Sequence, residues 1–201
     1  MKNSLIITCF FIGGILAGFF DLLPSGWIGT HGTQWILFGL IFLVGFVVGA
    51  DPRLGMLVRS IRVSVLLVPI SVAVGSLGGA AIGSLLLPAL SLPDSLAIGA
   101  GFGYYSLSSI MIGELSGKMA GTIALITNIF REITTLLATP LLVKWFGTMT
   151  PVLSGGATAM DTTLPVIMKY AGKEHLFSAL ISGMILTLMT PLLISLIFAI
   201  F

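Results

Sequence analysis

Apolar residues in this chain come in long unbroken runs, without the alternation of a half-buried strand or the single stripe of a surface helix. A helix rises 1.5 Å per residue and needs about 20 such residues to cross the hydrocarbon of a bilayer. Seven runs come near that length: residues 4–20, 34–50, 63–87, 95–114, 119–143, 151–168 and 176–200. Transmembrane strands alternate lipid-facing and lumen-facing residues, so continuous runs argue against a barrel. The pattern predicts an all-α polytopic membrane protein of about seven transmembrane helices, built as a single transmembrane domain over residues 1–201. The run at 4–20 has only Lys2 on its flank and no small-x-small cleavage site before residue 21, so it reads as a retained span.

Composition agrees. The chain is 57% hydrophobic and 8% charged, whereas a soluble domain carries about 25% charged residues. So few charges cannot cover a water-facing surface, and the lipid bilayer must be the solvent for much of the chain. The net charge of +2 contains no basic run, which excludes a nucleic-acid partner. Cys9 is the single cysteine, and His31 and His175 are far apart, so no disulfide, metal or cofactor site is expected.

The few charges carry information about sidedness. With a cytoplasmic N-terminus and seven spans, the inside holds Lys2, Arg53, Arg59, Arg62, Lys118, Lys169 and Lys173, and the outside only Lys144. That is a strong positive-inside bias, and it predicts an outside C-terminus.

Glycine appears in two patterns. Gly14 and Gly18, Gly45 and Gly49, and Gly75, Gly79 and Gly83 recur at intervals of four, as in close helix packing. The glycines at 99, 101 and 103 and at 155 and 156 instead accompany polar residues inside apolar runs, which predicts two interrupted helices, around 99–109 and 154–165. Each interruption precedes a short charged loop and a long apolar helix. Paired interruptions of this kind point to a transporter site. Counted as spans, the two units run in the same direction and do not form an inverted repeat.

Ionisable residues within spans are the candidates for chemistry. Glu132 sits in the middle of the fifth run, where a charge costs about 2.5–3.5 kcal/mol even on lenient scales. Its neighbour Arg131 points about 100° away on a helix, which makes a poor ion pair; Arg131 is expected to balance a carboxylate on another helix or to serve function. Asn128, four residues before Glu132, shares its helix face and is placed to orient the carboxylate. Asp161 is followed by Thr162, Thr163 and Pro165. It reads as an N-cap of a restarting helix, whose free N–H groups and positive dipole end suit a substrate carboxylate. Tyr104, Tyr105, Ser106, Ser108 and Ser109 offer hydroxyls for substrate or for repair of the broken backbone. Glu114 and Lys118 are spaced as a surface helix pair.

Two carboxylates at membrane depth suggest proton coupling, with protons and a cation alternating at one acidic site. An intramembrane protease is disfavoured because no histidine lies in a span. Gly99, Gly101 and Gly103 lack the context of a phosphate loop, so no nucleotide cofactor is expected. A channel or scaffold subunit is the alternative reading.

Three strings, GFGYYSLSS (101–109), NIFRE (128–132) and GGATAMDTTLP (155–165), resemble signatures of the prokaryotic lysine exporter family of LysO type. The likeness runs from the second span to the end of the chain. It implies a multi-pass protein of the prokaryotic cytoplasmic membrane that exports L-lysine or a similar cationic amino acid. It also implies that Glu132 and Asp161 are the membrane-embedded acids involved. Single-chain members carry extra N-terminal spans, and this chain resembles their C-terminal two thirds. A homo-oligomer or a separate small membrane subunit is therefore expected to supply the remainder.

Overall fold

The computed structural model describes residues 63–86 and 90–201, with scattered positions between Gly13 and Ala50. The expected spans at 4–20 and 34–50 lie outside the continuously described residues. Among the described residues every regular element is helical. These are α1 (Val63–Leu86), α2 (Leu92–Gly99), α3 (Tyr105–Ser116), α4 (Lys118–Phe146), α5 (Thr150–Gly155), α6 (Leu164–Tyr170) and α7 (Leu176–Ile200). Short 3-10 turns occupy Gly156–Met160 and Lys173–His175.

Three stretches are long and apolar enough to cross a membrane: Val65–Leu86, Lys118–Phe146 and Lys173–Ile200. They correspond to the third, fifth and seventh expected spans. In hydrocarbon the backbone must satisfy its own polar groups, which is why such runs become helices. Pro69, Pro140 and Pro191 sit inside these helices, and neighbouring helices are what make such breaks in the ladder tolerable.

The fourth expected span is interrupted and folded back on itself. Ser91, in extended conformation, caps α2 by accepting the Asp94 N–H at 3.2 Å. The helix ends at Gly99, and the chain turns through Phe102 (φ 48°) and Gly103 (φ 96°) before α3 begins. At the far end of α3, the Ser116 hydroxyl donates to the Asp94 carboxylate. An unbroken helix would hold residues 94 and 116 about 33 Å apart. So α2 and α3 form a hairpin whose two ends meet. Gly117 (φ 100°) then reverses the chain into α4. This turn also separates Glu114 from Lys118, which therefore lie on different helices and not as a pair on one. Gly113 and Gly121 let α3 and α4 touch, since a Cβ on Gly121 would stand 2.7 Å from the Gly113 Cα.

The sixth expected span behaves likewise. α5 runs back along the end of α4, with the Thr150 hydroxyl donating to the Phe146 carbonyl at 2.9 Å and the Ser154 hydroxyl 2.7 Å from that of Thr135. The chain turns at 156–163. Then Ile167 and Ala171 return to a cluster shared with Val152, Ala179 and Val68, against which Val143 and Met149 pack. α7 starts at this end. Gly183 passes Met160, and further along α7 the Thr190 hydroxyl meets the Gly101 carbonyl at 3.5 Å.

The two hairpins thus enter beside α4 from opposite ends, and their tips meet: the Ala157 N–H donates to the Phe102 carbonyl at 2.9 Å. This overturns one expectation. Each unit of hairpin plus long helix runs the length of the molecule once, not twice, so the two units are inverted and not codirectional. The cause is the glycine-permitted reversal within each interrupted run, which turns an expected crossing into an excursion to mid-depth and back.

Candidate functional site

The tips and the middle of α4 form one polar centre. Gly101, Phe102 and Gly103 make the first tip. Phe102 holds a left-handed backbone that costs a non-glycine residue about 1–2 kcal/mol, and complete burial of its ring keeps it there. Gly156 (φ 62°) opens the second tip; a Cβ there would collide with the Phe102 carbonyl. Glycine is required at that position by the contact between the tips as well as by its own torsion.

Asn128 is buried and committed to the first tip. Its Oδ1 accepts the Gly103 N–H at 2.7 Å, and its Nδ2 donates to the carbonyls of Ala124 (2.9 Å) and Ile98 (3.4 Å). The expectation that it orients Glu132 is not met among the described residues. The open backbone groups of the broken helix claim its amide instead.

Of the two roles expected for Arg131, balancing a carboxylate on another helix is not met among the described residues, where it has no carboxylate partner. Its Nε donates to the Ser154 carbonyl (2.8 Å), Nη1 to the Ser76 hydroxyl (2.7 Å) and Nη2 to the Leu153 carbonyl (3.3 Å). The last carbonyls of a helix carry partial negative charge, and α5 presents its own to the guanidinium.

Glu132 is half-buried and makes no hydrogen bond among the described residues. Asp161 is exposed at the second tip. Its Oδ1 accepts the Thr162 N–H at 2.5 Å and lies 3.3 Å from the Thr162 hydroxyl. Asp161 is not the N-cap of α6; Thr163 holds that position, without a side-chain cap bond. Nor does α6 offer free donors. The Leu164 N–H goes to the Asp161 carbonyl, Pro165 has none, and those of Val166 and Ile167 go to the Thr163 carbonyl.

The hydroxyl groups divide into two sets. Ser108 and Ser109 donate to the carbonyls of Tyr104 (2.8 Å) and Ser106 (3.4 Å), and Thr163 is buried 3.5 Å from the Thr158 hydroxyl. These repair backbone or fill the tip. Ser106 and Thr162 are exposed, and Tyr104 and Tyr105 are half-buried.

Two cavities flank α1. One of about 460 Å³ lies towards Ser71 and Thr150, and one of about 320 Å³ lies towards Gly83 and Ser95. Ser76 and Arg131 line both, so their hydrogen bond stands where the two cavities adjoin. Ser76, Ser154 and Thr135 were not singled out from the sequence. A serine or threonine in an apolar run carries no mark of which polar group will face it.

Three long apolar helices and two hairpins joined tip to tip define a polytopic helical membrane protein with a polar centre at mid-depth. The chain matches the model of the family described as "Lysine exporter LysO" over residues 8–198, and it belongs to that family. It is 33% identical over 168 residues to the lysine exporter LysO of Escherichia coli (strain K12), an alignment covering 83% of this chain and 54% of that protein. It is 41% identical over 107 residues to a Haemophilus influenzae protein named "Putative lysine exporter", covering 52% of this chain and 54% of that one. The chain spans about half the length of the curated relatives it matches. No solved structure matches it.

Proposed function

We propose that this chain is the transport core of a secondary transporter, not an enzyme, that exports L-lysine or a similar cationic amino acid in exchange for protons. One observation carries the reading: two inverted hairpins meet tip to tip beside the charged middle of α4. Discontinuous helices converging at mid-membrane are the usual setting of a carrier's substrate site. Membership in the lysine exporter family supports the substrate class.

In this reading α1, α4 and α7 cross the membrane of a prokaryotic cell, and the runs at 4–20 and 34–50 add two spans. The two hairpins complete the seven expected segments, each reaching mid-depth from its own side. Lys144, Lys169 and Lys173 then share one side with the start of α1, and Lys118 lies on the other. The positive-inside rule makes the former cytoplasmic, with the N-terminus inside and Phe201 outside. Glu132 and Asp161 exchange protons for the substrate's ammonium groups, and the hydroxyls of Tyr105, Ser106 and Thr162 solvate the path between them. Thr163 and Asn128 hold the tips in shape.

The test is uptake of labelled lysine by proteoliposomes preloaded with unlabelled lysine. The wild type exchanges lysine, and Glu132→Gln and Asp161→Asn each reduce exchange about 10- to 100-fold, as loss of a charge-assisted contact predicts. Wild-type exchange that survives both substitutions removes the acidic-site assignment. A correctly inserted wild type that moves no lysine favours the channel or scaffold reading. The expected partner, a second copy or a separate small membrane subunit, is tested by mass measurement in mild detergent.

A further inference from the structure

We propose that Arg131 is the group that recognises the α-carboxylate of the transported amino acid; the inference rests on the transport reading above. A guanidinium carries five N–H donors. Arg131 uses three, on Ser154, Ser76 and Leu153, and one N–H on each terminal nitrogen remains. A carboxylate can take one N–H from each terminal nitrogen of a guanidinium.

Position and charge agree with this role. Arg131 lines both cavities, so a ligand seated in either one reaches it. Its described partners are dipoles only, two carbonyls and a hydroxyl, which leave a full positive charge at mid-depth without an anion among the described residues. An unmatched cation there is costly, and an incoming carboxylate supplies the missing charge. Room exists beside it. Gly75 lines the larger cavity and Gly79 the smaller, and an added Cβ at either would meet nothing within 4 Å among the described residues. The competing carboxylate site, the first turn of α6, has no donor left to give.

Arg131 and Glu132 are neighbours on α4 whose side chains diverge by about 100°. That arrangement suits a substrate with an anionic group at one end and a cationic group at the other. It also explains why the two opposite charges are adjacent in sequence without being paired.

The experiment compares lysine with 1,5-diaminopentane, which is lysine without its carboxylate, as competitors of labelled-lysine exchange in proteoliposomes. With the wild type, unlabelled lysine competes at a concentration at least about 10-fold lower than the diamine. Arg131→Gln raises the lysine concentration needed and brings the two competitors to within about 2-fold of each other. Leu137→Ala, at an exposed position of α4 away from both cavities, retains the preference. If Arg131→Gln does not accumulate in the membrane, Arg131→Lys is used, and a preference reduced several-fold is expected because the fork is lost. Equal competition by both compounds at the wild type overturns the assignment, as does full preference in the Arg131 variant. Either result leaves lysine transport standing. A wild type that exchanges no lysine instead overturns the transport reading, and this inference with it.

Discussion

Single residues at the centre are set by what the broken backbone demands. Asn128 looks like a partner for Glu132 on a helical wheel, yet its amide is taken by Gly103, Ala124 and Ile98. An unpaired buried N–H costs about 1–3 kcal/mol, and a side chain able to prevent that is rarely free for other work. Asn128→Leu should therefore destabilise the protein by at least about 1–3 kcal/mol through the Gly103 N–H alone. A clear drop in melting temperature in detergent is expected, and an unchanged one would show that the first tip does not depend on this bond. Arg131 teaches the same lesson. Its charge was legible in the sequence, but its partners lie 22, 23 and 55 residues away.

At the scale of elements, the places where helices break were readable and the paths after the breaks were not. Glycines at 99–103 and 155–156 announced the interruptions because an interior glycine weakens a helix and permits positive φ. The observed breaks, Ala100–Tyr104 and residues 156–163, fall within the expected windows. Ser106 to Ser109, expected in the unwound part, are helical. Whether a chain continues or doubles back after such a break depends on what its second arm packs against. For α3 that is α4 through Gly113 and Gly121, with Ser116 bonded to Asp94. The hairpin is open to a direct test. In a Cys9→Ser background, Asp94→Cys and Ser116→Cys should join efficiently through a short bis-thiosulfonate cross-linker, read as a linked peptide pair by mass spectrometry. A through-going span would keep these sites about 33 Å apart and give no product.

For the molecule as a whole, folding two expected spans into hairpins moves charges between sides. Counting every run as a crossing puts Lys118 with Lys169 and Lys173 and leaves Lys144 alone outside. The hairpins exchange Lys118 and Lys144 while keeping the basic excess on one side and the C-terminus on the other. Single cysteines replacing each lysine in the Cys9→Ser background separate the two arrangements. With a membrane-impermeant thiol reagent on intact cells, position 118 should label, and positions 144 and 173 should label only after the membrane is opened. Labelling of 144 but not 118 from outside would restore two full crossings in place of the hairpins.

The sequence by itself determined the solvent, the helical class, the long spans, the positions of the breaks and the family. All but the family follow from local composition, since hydrocarbon accepts only apolar helices and glycine marks where they yield; the family came from the likeness of three motifs. Only the tertiary structure decided that the broken runs double back, that their tips meet at Ala157 and Phe102, and that Arg131 answers to carbonyls and a hydroxyl. Those outcomes depend on contacts between residues far apart in the chain, and hydrophobic patterning carries no record of which distant polar group will satisfy an open N–H or a buried charge.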